Sequence, residues 1–598
     1  MNKLNIKAKW HLLLILTVGV IMLLVGVVGS IMLGNNGSSV NDSLNTNDPS
    51  TENDNDDKNI SDPSPQPPQM GEEKFDGFPV INVANIGGVP LQQNNAFNRT
   101  DWRNVSVTIT NTTEEFAMDN VTAQLRGRGN SSWNAPKRPF RLRFDHENVA
   151  MPGADHVARD WTFITNHADF SLLRNTSAYY LGSLLGGTQT PYSQFAHVYF
   201  NGEYQGVYKI SVHVPEPVPG ATGRAQTVRN PNPELSEYIL EHQLLYRLTR
   251  EAHLQYGRDW ITINGRHYRI RYGGTTPAHV EYLREFMQFV DDSIMERAPR
   301  LFNVICKDSL IDFFIVRELF RDHDAGRASM FMQIQGTGFD RRVTLGPLWD
   351  FDHTAGATTF QLQGHPYYVW LPNGNPYTGR YPSEWFQSLI LIPEFREAFA
   401  ARMKEVNDTY LPQMVDMLWQ TFHDYEDEFA RNFQRWHVFG TRILGTYREK
   451  QAITTHRGQV EWLVNWLTIR ADWLSGYYNN YSPYFDVNIN RFSDAQVTQG
   501  SRILFIDMEL SRGTLPSHVS NLSLTGYSIY RIHPNGSQTL VTQGRFPTGE
   551  GGHVTLLLQQ ATARDAGTYR VVANYTLTYG RHTLNLTQPF GDITLGVN

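Results

Sequence analysis

Apolar positions follow several different patterns along the chain. From Trp10 to Leu33 they form a continuous run with no charge other than His11. About 24 residues of helix would span roughly 36 Å, against a hydrocarbon core of about 30 Å. The run therefore predicts a transmembrane helix over residues 10–33. Lys3, Lys7 and Lys9 precede it, so the positive-inside rule assigns residues 1–9 to the cytoplasm and the remainder to the outer side. The alternative is a cleaved signal segment, which would give a secreted protein. Residues 34–75 are mostly Asn, Asp, Ser, Gly, Pro and Glu, and predict a disordered polar linker.

Alternation begins after Phe78. Val105 to Thr110 and Val121 to Leu125 place apolar residues at every second position, which predicts strands. The spacing turns helical over Leu172 to Leu185 and Ser309 to Phe320. It stays mainly helical over 384–475, where Val460, Leu463, Trp466, Leu467, Arg470, Trp473 and Leu474 share a core face. Residues 76–480 thus read as one large α+β unit, or two lobes sharing a cleft. Beyond Tyr481, short alternating runs at Ile503 to Met508, Ser528 to Ile532, Val554 to Leu558 and Tyr569 to Ala573 predict an all-β sandwich over 481–598. Asp565-Ala566-Gly567-Thr568-Tyr569 resembles the approach to the tyrosine corner of an immunoglobulin-like sandwich.

Composition narrows the picture. With 598 residues, several domains are expected, and 40% hydrophobic content supplies sizeable cores. The net charge of −7 provides no polybasic field, so nucleic acid is not expected as a partner. Cys306 is the single cysteine, which excludes an intramolecular disulfide and a cysteine-built zinc site.

Three segments carry candidate chemistry. In Arg126-Gly127-Arg128-Gly129-Asn130-Ser131-Ser132-Trp133, the glycines would let backbone amides approach an anion, and Ser131 and Ser132 could donate to it. Lys137 follows as a point charge suited to phosphate. The alternative is a turn with a solvated basic face. In Ile311 to Asp324, a buried helix ends in Glu318, Asp322 and Asp324, where the helix dipole disfavours carboxylates. That implies a cation or catalytic use, or else ordinary pairing with Arg317, Arg321 or Arg327. In Leu345 to His353, Asp350 and Asp352 would share one face of an extended segment, with Trp349 and Phe351 on the other. Such a pair suits Mg²⁺ or Mn²⁺. One mechanism uses all three: basic and glycine-rich groups hold nucleotide phosphates, the acidic pair holds the metal, and Asp324 orients a hydroxyl and accepts its proton. Metal-assisted phosphoester hydrolysis would need a similar site without a nucleotide pocket.

In order along residues 105–475, these motifs resemble the CotH kinase family, whose fold is similar to that of protein kinases. The resemblance rests on Leu125-Arg126-Gly127, Gly129 to Trp133, Pro136 to Phe140, Asp169 to Arg174, Asn201 to Tyr208, and Gly346 to Asp352. It implies a two-lobed, atypical kinase-like fold and ATP-dependent phosphorylation of Ser or Thr in surface or matrix proteins. It further implies Lys137 at the phosphates, Asp324 as the catalytic aspartate, and Asp350 with Asp352 at the metal. Asp322 stands where the family often has Asn and would keep an oxygen ligand. The full expected set is Asp324 and Lys137 for catalysis, Arg126, Gly127, Gly129, Ser131, Ser132 and Lys137 for ATP, and Asp350, Asp352 and Asp322 for the metal.

Besides Asp322, the sequence departs from the family pattern at two places. No carboxylate stands at Val212 or His213, leaving Glu203 or Glu216 as substitutes to pair with Lys137, and His242 replaces an expected acid. A pseudokinase serving as a surface structural or binding protein is therefore an alternative. Contact with glycan or cell wall is another, since Tyr367, Tyr368, Trp370, Tyr377, Tyr381 and Trp385 could form a lid, a binding face or plain packing.

Overall fold

The computed structural model describes residues 77–597 apart from 87–97, 130, 147–148, 155–156, 214–229, 244–258, 327, 358–365, 374–382, 442, 444–447, 480–484, 493–495, 498–502, 514–520, 535–536, 560–564, 566 and 580–581. Its first part is a closed seven-stranded barrel. The strands are β1 (Val80–Asn85), β2 (Arg103–Thr110), β3 (Met118–Gly127), β4 (Phe140–Phe144), β5 (Asp160–Ile164), β6 (Ser193–Phe200) and β7 (Glu203–Val212), with helix α1 (Arg174–Leu185) between β5 and β6. They pair in the order β1-β2-β3-β4-β5-β7-β6. Parallel pairing of β1 with β6, Val80 opposite His197, closes the ring and leaves no open edge. The alternation read in the sequence fills the interior: Val105, Val107, Ile109, Ala123, Leu125, Phe140 and Leu142 are all buried there.

A second sheet has the order β12-β11-β8-β10-β9. Its strands are β8 (Tyr238–Gln243), β9 (Trp260–Ile263), β10 (Arg266–Tyr272), β11 (Met330–Gln335) and β12 (Arg342–Leu345). Around it lie α2 (Pro277–Met295), α3 (Lys307–Leu319), α4 (Glu384–Leu389), α5 (Pro393–Glu405), α6 (Leu411–Asp424), α7 (Glu426–Arg435), α8 (Arg448–Gln451) and α9 (His456–Tyr478). The C-terminal strands are β13 (Phe485–Phe492), β14 (Gln496–Val497), β15 (Ile503–Arg512), β16 (Asn521–Ile532), β17 (Gln538–Arg545), β18 (Gly551–Gln559), β19 (Gly567–Tyr579) and β20 (His582–Val597). They form one sheet in the order β13-β15-β18 and another in the order β14-β20-β19-β16-β17. Buried residues of both sheets, including Leu510, Val554, Leu524 and Tyr575, join the same core as the helices around α3 and α9. Trp473 of α9 donates its indole N–H to the Tyr575 hydroxyl at 3.2 Å across that boundary.

The architecture corrects part of the sequence reading. The chain is a mixed α/β fold built on a closed barrel, where a two-lobed kinase-like α+β fold with a membrane helix was expected. Among the described residues no helix is long and apolar enough to cross a membrane. The longest, α9, carries Arg457, Glu461, Arg470 and Asp472, charges that hydrocarbon disfavours. The transmembrane anchor, the membrane as a partner and the single-pass cell-surface placement are therefore not retained. The surface partners that followed from them fall as well. Segment 10–33, on which they rested, lies outside the described residues, as does linker 34–75.

Candidate functional site

Helix α3 is buried from Ser309 to Leu319, and its terminal charges are paired inside the protein. Glu318 accepts backbone N–H groups of Trp370 at 2.8 Å and Leu371 at 2.6 Å, and Arg470 Nη2 at 2.8 Å. Arg317 lies between the rings of Phe313 and Phe351, each 4.9 Å from its guanidinium carbon. It donates to Asp322 and to the Ser329 carbonyl at 2.7 Å. The other Asp322 oxygen accepts the Asp324 N–H at 3.0 Å. Asp322 is thus an ordinary buried ion-pair partner whose two oxygens are both engaged, and it shapes the turn that carries Asp324. Asp324 is half-buried, 3.6 Å from His323 Nε2.

The 346–353 segment meets this turn through Ser329, whose hydroxyl donates to Asp350 at 3.2 Å. Leu348, Trp349 and Phe351 are buried anchors. The Phe351 N–H donates to Asn175 at 2.9 Å. Asp350 has a left-handed φ of 74°, a conformation that Asp tolerates better than most residues. The kink breaks the expected even alternation: Asp350 is exposed, whereas Asp352 is only 8% exposed. Burial pushes the Asp352 carboxyl up. His353, 3.7 Å away, opposes this, while Asp350 and Asp169 reinforce it.

The Asp169 to Arg174 motif pins that segment from behind. Arg174 pairs with Asp169 and donates to the Thr354 carbonyl at 2.9 Å and the Ala355 carbonyl at 3.1 Å. Lys450 of α8 donates to the Ala168 carbonyl at 2.9 Å. Burial alone would raise Asp169, but Arg174, Lys450 and hydrogen bonds from Ser171 outweigh it and hold its carboxyl below the ordinary range. Sequence reasoning did not reach Lys450, which lies far along the chain.

The glycine-rich stretch ends β3 beside this wall. A Cβ on Gly127 would collide with the Trp133 ring and the Asn98 carbonyl. The glycine therefore lets the indole pack on the backbone. The amides are already used: Gly127 N–H donates to Asn98 at 2.8 Å and Arg128 N–H to Pro139 at 3.1 Å. Gly129 has φ 88°, and its carbonyl accepts from Arg99 at 3.0 Å. Arg126 turns away, over Trp102 at 4.6 Å, and donates to the Arg99 carbonyl at 3.2 Å. Arg141 and Arg143, both paired with Asp160, crowd the same indole. Ser132 lies half-buried; Asn130 and the Ser131 side chain lie outside the described set. Arg128, absent from the expected set, has its guanidinium 5.3 Å from the Trp349 ring centre.

Lys137 sits apart from the acidic wall. It is 1% exposed and donates to the carbonyls of Thr165 (3.1 Å) and Val207 and to Asn432 Oδ1 (2.8 Å). Its three donors brace β7 against α7. Burial pushes its ammonium well below the ordinary lysine range. Glu203 pairs with Arg435 instead, and Glu216 lies outside the described residues. Asn432 is thus a Lys137 partner that sequence reasoning missed. His242 is buried, stacked on Tyr268 at 5.1 Å, and lines a cavity of about 360 Å³ with Gly326, Met330, Ser383 and Trp385. Tyr367, Trp370 and Trp385 are core residues, so this part of the aromatic stretch is packing; Tyr377 and Tyr381 lie outside the described residues.

A family model described as "CotH kinase protein" matches residues 125–474, more than half of the chain. The chain belongs to the CotH kinase family. The match begins at Leu125 and ends at Leu474, so it takes in the glycine-rich stretch, α3, the acidic pair and most of α9. No curated protein matches this CotH-family chain. Among solved structures it is similar to Pseudomonas fluorescens alkylpurine DNA glycosylase AlkC bound to DNA containing an abasic site analog, with TM-score 0.12 and 11% identity. The match covers 38% of this chain and 58% of that one, and a likeness of this size carries no argument.

The donor set can be tested against a cation. Among the described residues no three His, Cys, Asp or Glu side chains gather to hold a metal. Mg²⁺, however, is commonly held by one or two carboxylates plus water and substrate phosphate. A buried Asp352 with His353 at 3.7 Å as its ion-pair partner, two residues from an exposed Asp350, fits that requirement.

Proposed function

We propose that this CotH-family chain is a phosphotransferase that moves the terminal phosphoryl group of ATP to a Ser or Thr hydroxyl of a protein. The observation that carries the reading is the hydrogen-bonded chain from Asp322 through Arg317 and Ser329 to Asp350, which ties the Asp324 turn to the acidic pair. Asp324 orients the acceptor hydroxyl and takes its proton as the new O–P bond forms and the bond to the leaving ADP breaks. Asp350 and Asp352 would hold Mg²⁺ or Mn²⁺, which supplies charge neutralisation at the phosphates when bound. Asp322 and Arg317 keep the turn in place.

The test is transfer of labelled terminal phosphate by the full chain to a Ser/Thr-rich acceptor protein, with Asp324→Asn and Asp350→Asn alongside. Loss of transfer by about 100-fold or more in both variants supports the assignment. Unchanged rates in either would remove that residue from it. A pseudokinase is the second reading, favoured by the complete use of Lys137's donors on neutral carbonyls. Nucleotide binding without transfer to any acceptor would establish it. For the C-terminal sheets we favour an immunoglobulin-like sandwich, on the bond from the Tyr569 hydroxyl back to the Asp565 carbonyl at 2.7 Å.

A further inference from the structure

Two donor groups beside the acidic pair lack hydrogen-bond partners. The Arg128 guanidinium is half-buried against Trp349, the residue before Asp350, and forms no hydrogen bond or ion pair among the described residues. The Tyr179 side chain is 5% exposed, and its hydroxyl has no partner there either. A buried hydroxyl is costly unless water or a ligand meets it, so this donor is free to serve one. Tyr179 belongs to α1, and its ring packs edge-on to Phe351 at 6.4 Å, between the two acidic residues in sequence. Arg128 follows directly on the end of β3. Asp350 and Asp352 both act electrostatically on each of these groups, and Arg128 acts on Tyr179. Arg128 through Trp349 and Tyr179 through Phe351 thus reach the two residues that flank Asp350, and the volume beside that carboxylate is the candidate site.

The chemistry of that volume is specific. The two carboxylates and one guanidinium sum to −1, and a divalent cation on the carboxylates would turn the sum to +1. The ligand that then completes the site is an anion lying between the cation and the two donors. Trp349 lies against the guanidinium, whose forked N–H donors suit pairs of phosphate oxygens. The Tyr179 hydroxyl adds a neutral donor. Lys137 cannot serve this volume, because its donors are spent on Thr165, Val207 and Asn432.

We propose that Arg128 and Tyr179 form the phosphoryl seat of this protein, holding the terminal phosphate of a nucleoside triphosphate opposite Asp350 and Asp352. The inference rests on the phosphotransfer reading and adds to it the residues that bind the transferred group. A phosphorylated side chain of the acceptor protein carries the same chemistry, and the experiment separates the two sources.

Calorimetric titration of the full chain in Mg²⁺ would compare the β,γ-imido analogue of ATP, ADP and a phosphoserine peptide, in wild type, Arg128→Gln, Arg128→Lys and Tyr179→Phe. The analogue should bind about 10- to 100-fold more weakly to Arg128→Gln and about 3- to 10-fold more weakly to Tyr179→Phe. ADP affinity should change by less than about 3-fold, since charge-assisted bonds to the terminal phosphate are absent from it. Arg128→Lys should recover part of the loss, and unchanged thermal unfolding in each variant would show that the fold persists. Analogue affinity unchanged in Arg128→Gln, or lost equally for ADP, would overturn the seat while leaving phosphotransfer standing. Weakened binding of the phosphoserine peptide alone would overturn its assignment to the nucleotide. A wild-type chain that binds none of the nucleotides would overturn both proposals together.

Discussion

Arg470 of α9 and Glu318 of α3 form an ion pair 2.8 Å apart with both side chains fully inaccessible to solvent. Burial pushes Glu318 up and Arg470 down to about 10, so desolvation outweighs the attraction on both sides. Arg470 also donates to carbonyls of Glu318, Leu319, Pro366 and Tyr368, and so joins the end of α3 to the 366–371 segment. Arg470→Met should destabilise the protein by about 3–5 kcal/mol, since it strands a buried carboxylate. Urea denaturation measures this. A loss below about 1 kcal/mol would contradict the pair's structural role.

Lys137→Met should behave as a core substitution. Removing the ammonium takes a donor from the carbonyls of Thr165 and Val207 and from Asn432 Oδ1, which keeps the Val207 N–H at 3.1 Å, at about 1–3 kcal/mol for each group left without a partner. The denaturation midpoint should fall markedly. Where the variant still folds, its nucleotide affinity should match wild type. A large loss of affinity with intact stability would return Lys137 to the phosphates.

Lys209 on β7 is another buried lysine, bonded to the Thr176 hydroxyl at 2.8 Å, with its ammonium pushed down by burial to about 7. The folded state thus resists a proton that the unfolded chain holds up to about pH 10.4. Stability from this group rises with pH between those two values. Lys209→Met should stabilise the protein at pH 7 by about 1–4 kcal/mol and flatten its stability profile above pH 7. Thermal unfolding at pH 7 and pH 9 decides.

His456 sits among Phe422, Phe429 and Phe433 and bonds the Ser171 carbonyl at 2.9 Å. Burial lowers it to about 4. Its folded pKa lies below the unfolded value near 6.5, so acidification through that window protonates the unfolded chain first and costs stability. His456→Gln should reduce the loss of stability between pH 6.5 and pH 4. Equal pH slopes for the variant and wild type would contradict the assignment.

Gly127→Ala should destabilise by about 1–3 kcal/mol, because the added methyl meets the Trp133 ring and a backbone carbonyl. Ser132→Ala, with only a half-buried hydroxyl to lose, should stay within about 1 kcal/mol. The contrast separates packing from anion binding as the reason for the glycine.

Local pattern carried much of the fold. Val105, Val107 and Ile109 announce a half-buried strand, and the spacing over 309–320 announces α3, because periods of two and of three to four are properties of neighbouring residues. Barrel closure was not legible: it depends on Val80 finding His197, a pairing with no local signature. Ordinary pairing with Arg317 was among the readings of Asp322, and the structure has that pair. Which of the acidic residues pair structurally depended on Arg470 and Ser329, contributed by other elements. Lys137 was expected at the phosphates, with a solvated basic turn as the alternative, and its inward placement against α7 depends on Asn432, far along the chain. Arg128 was hidden among several arginines, and only its position over Trp349 singles it out.

The shared core of the C-terminal sheets and the helices has a consequence for how the protein is partitioned. With Trp473 bonded to Tyr575 and Leu524, Val571 and Leu577 in one apolar mass with the α9 residues, the sheets are no detachable cassette. Cutting the chain after Tyr478 would uncover a hydrophobic scar along the helix that supports Glu318. The part containing the acidic pair is therefore expected to lose its portability when separated from its last 120 or so residues.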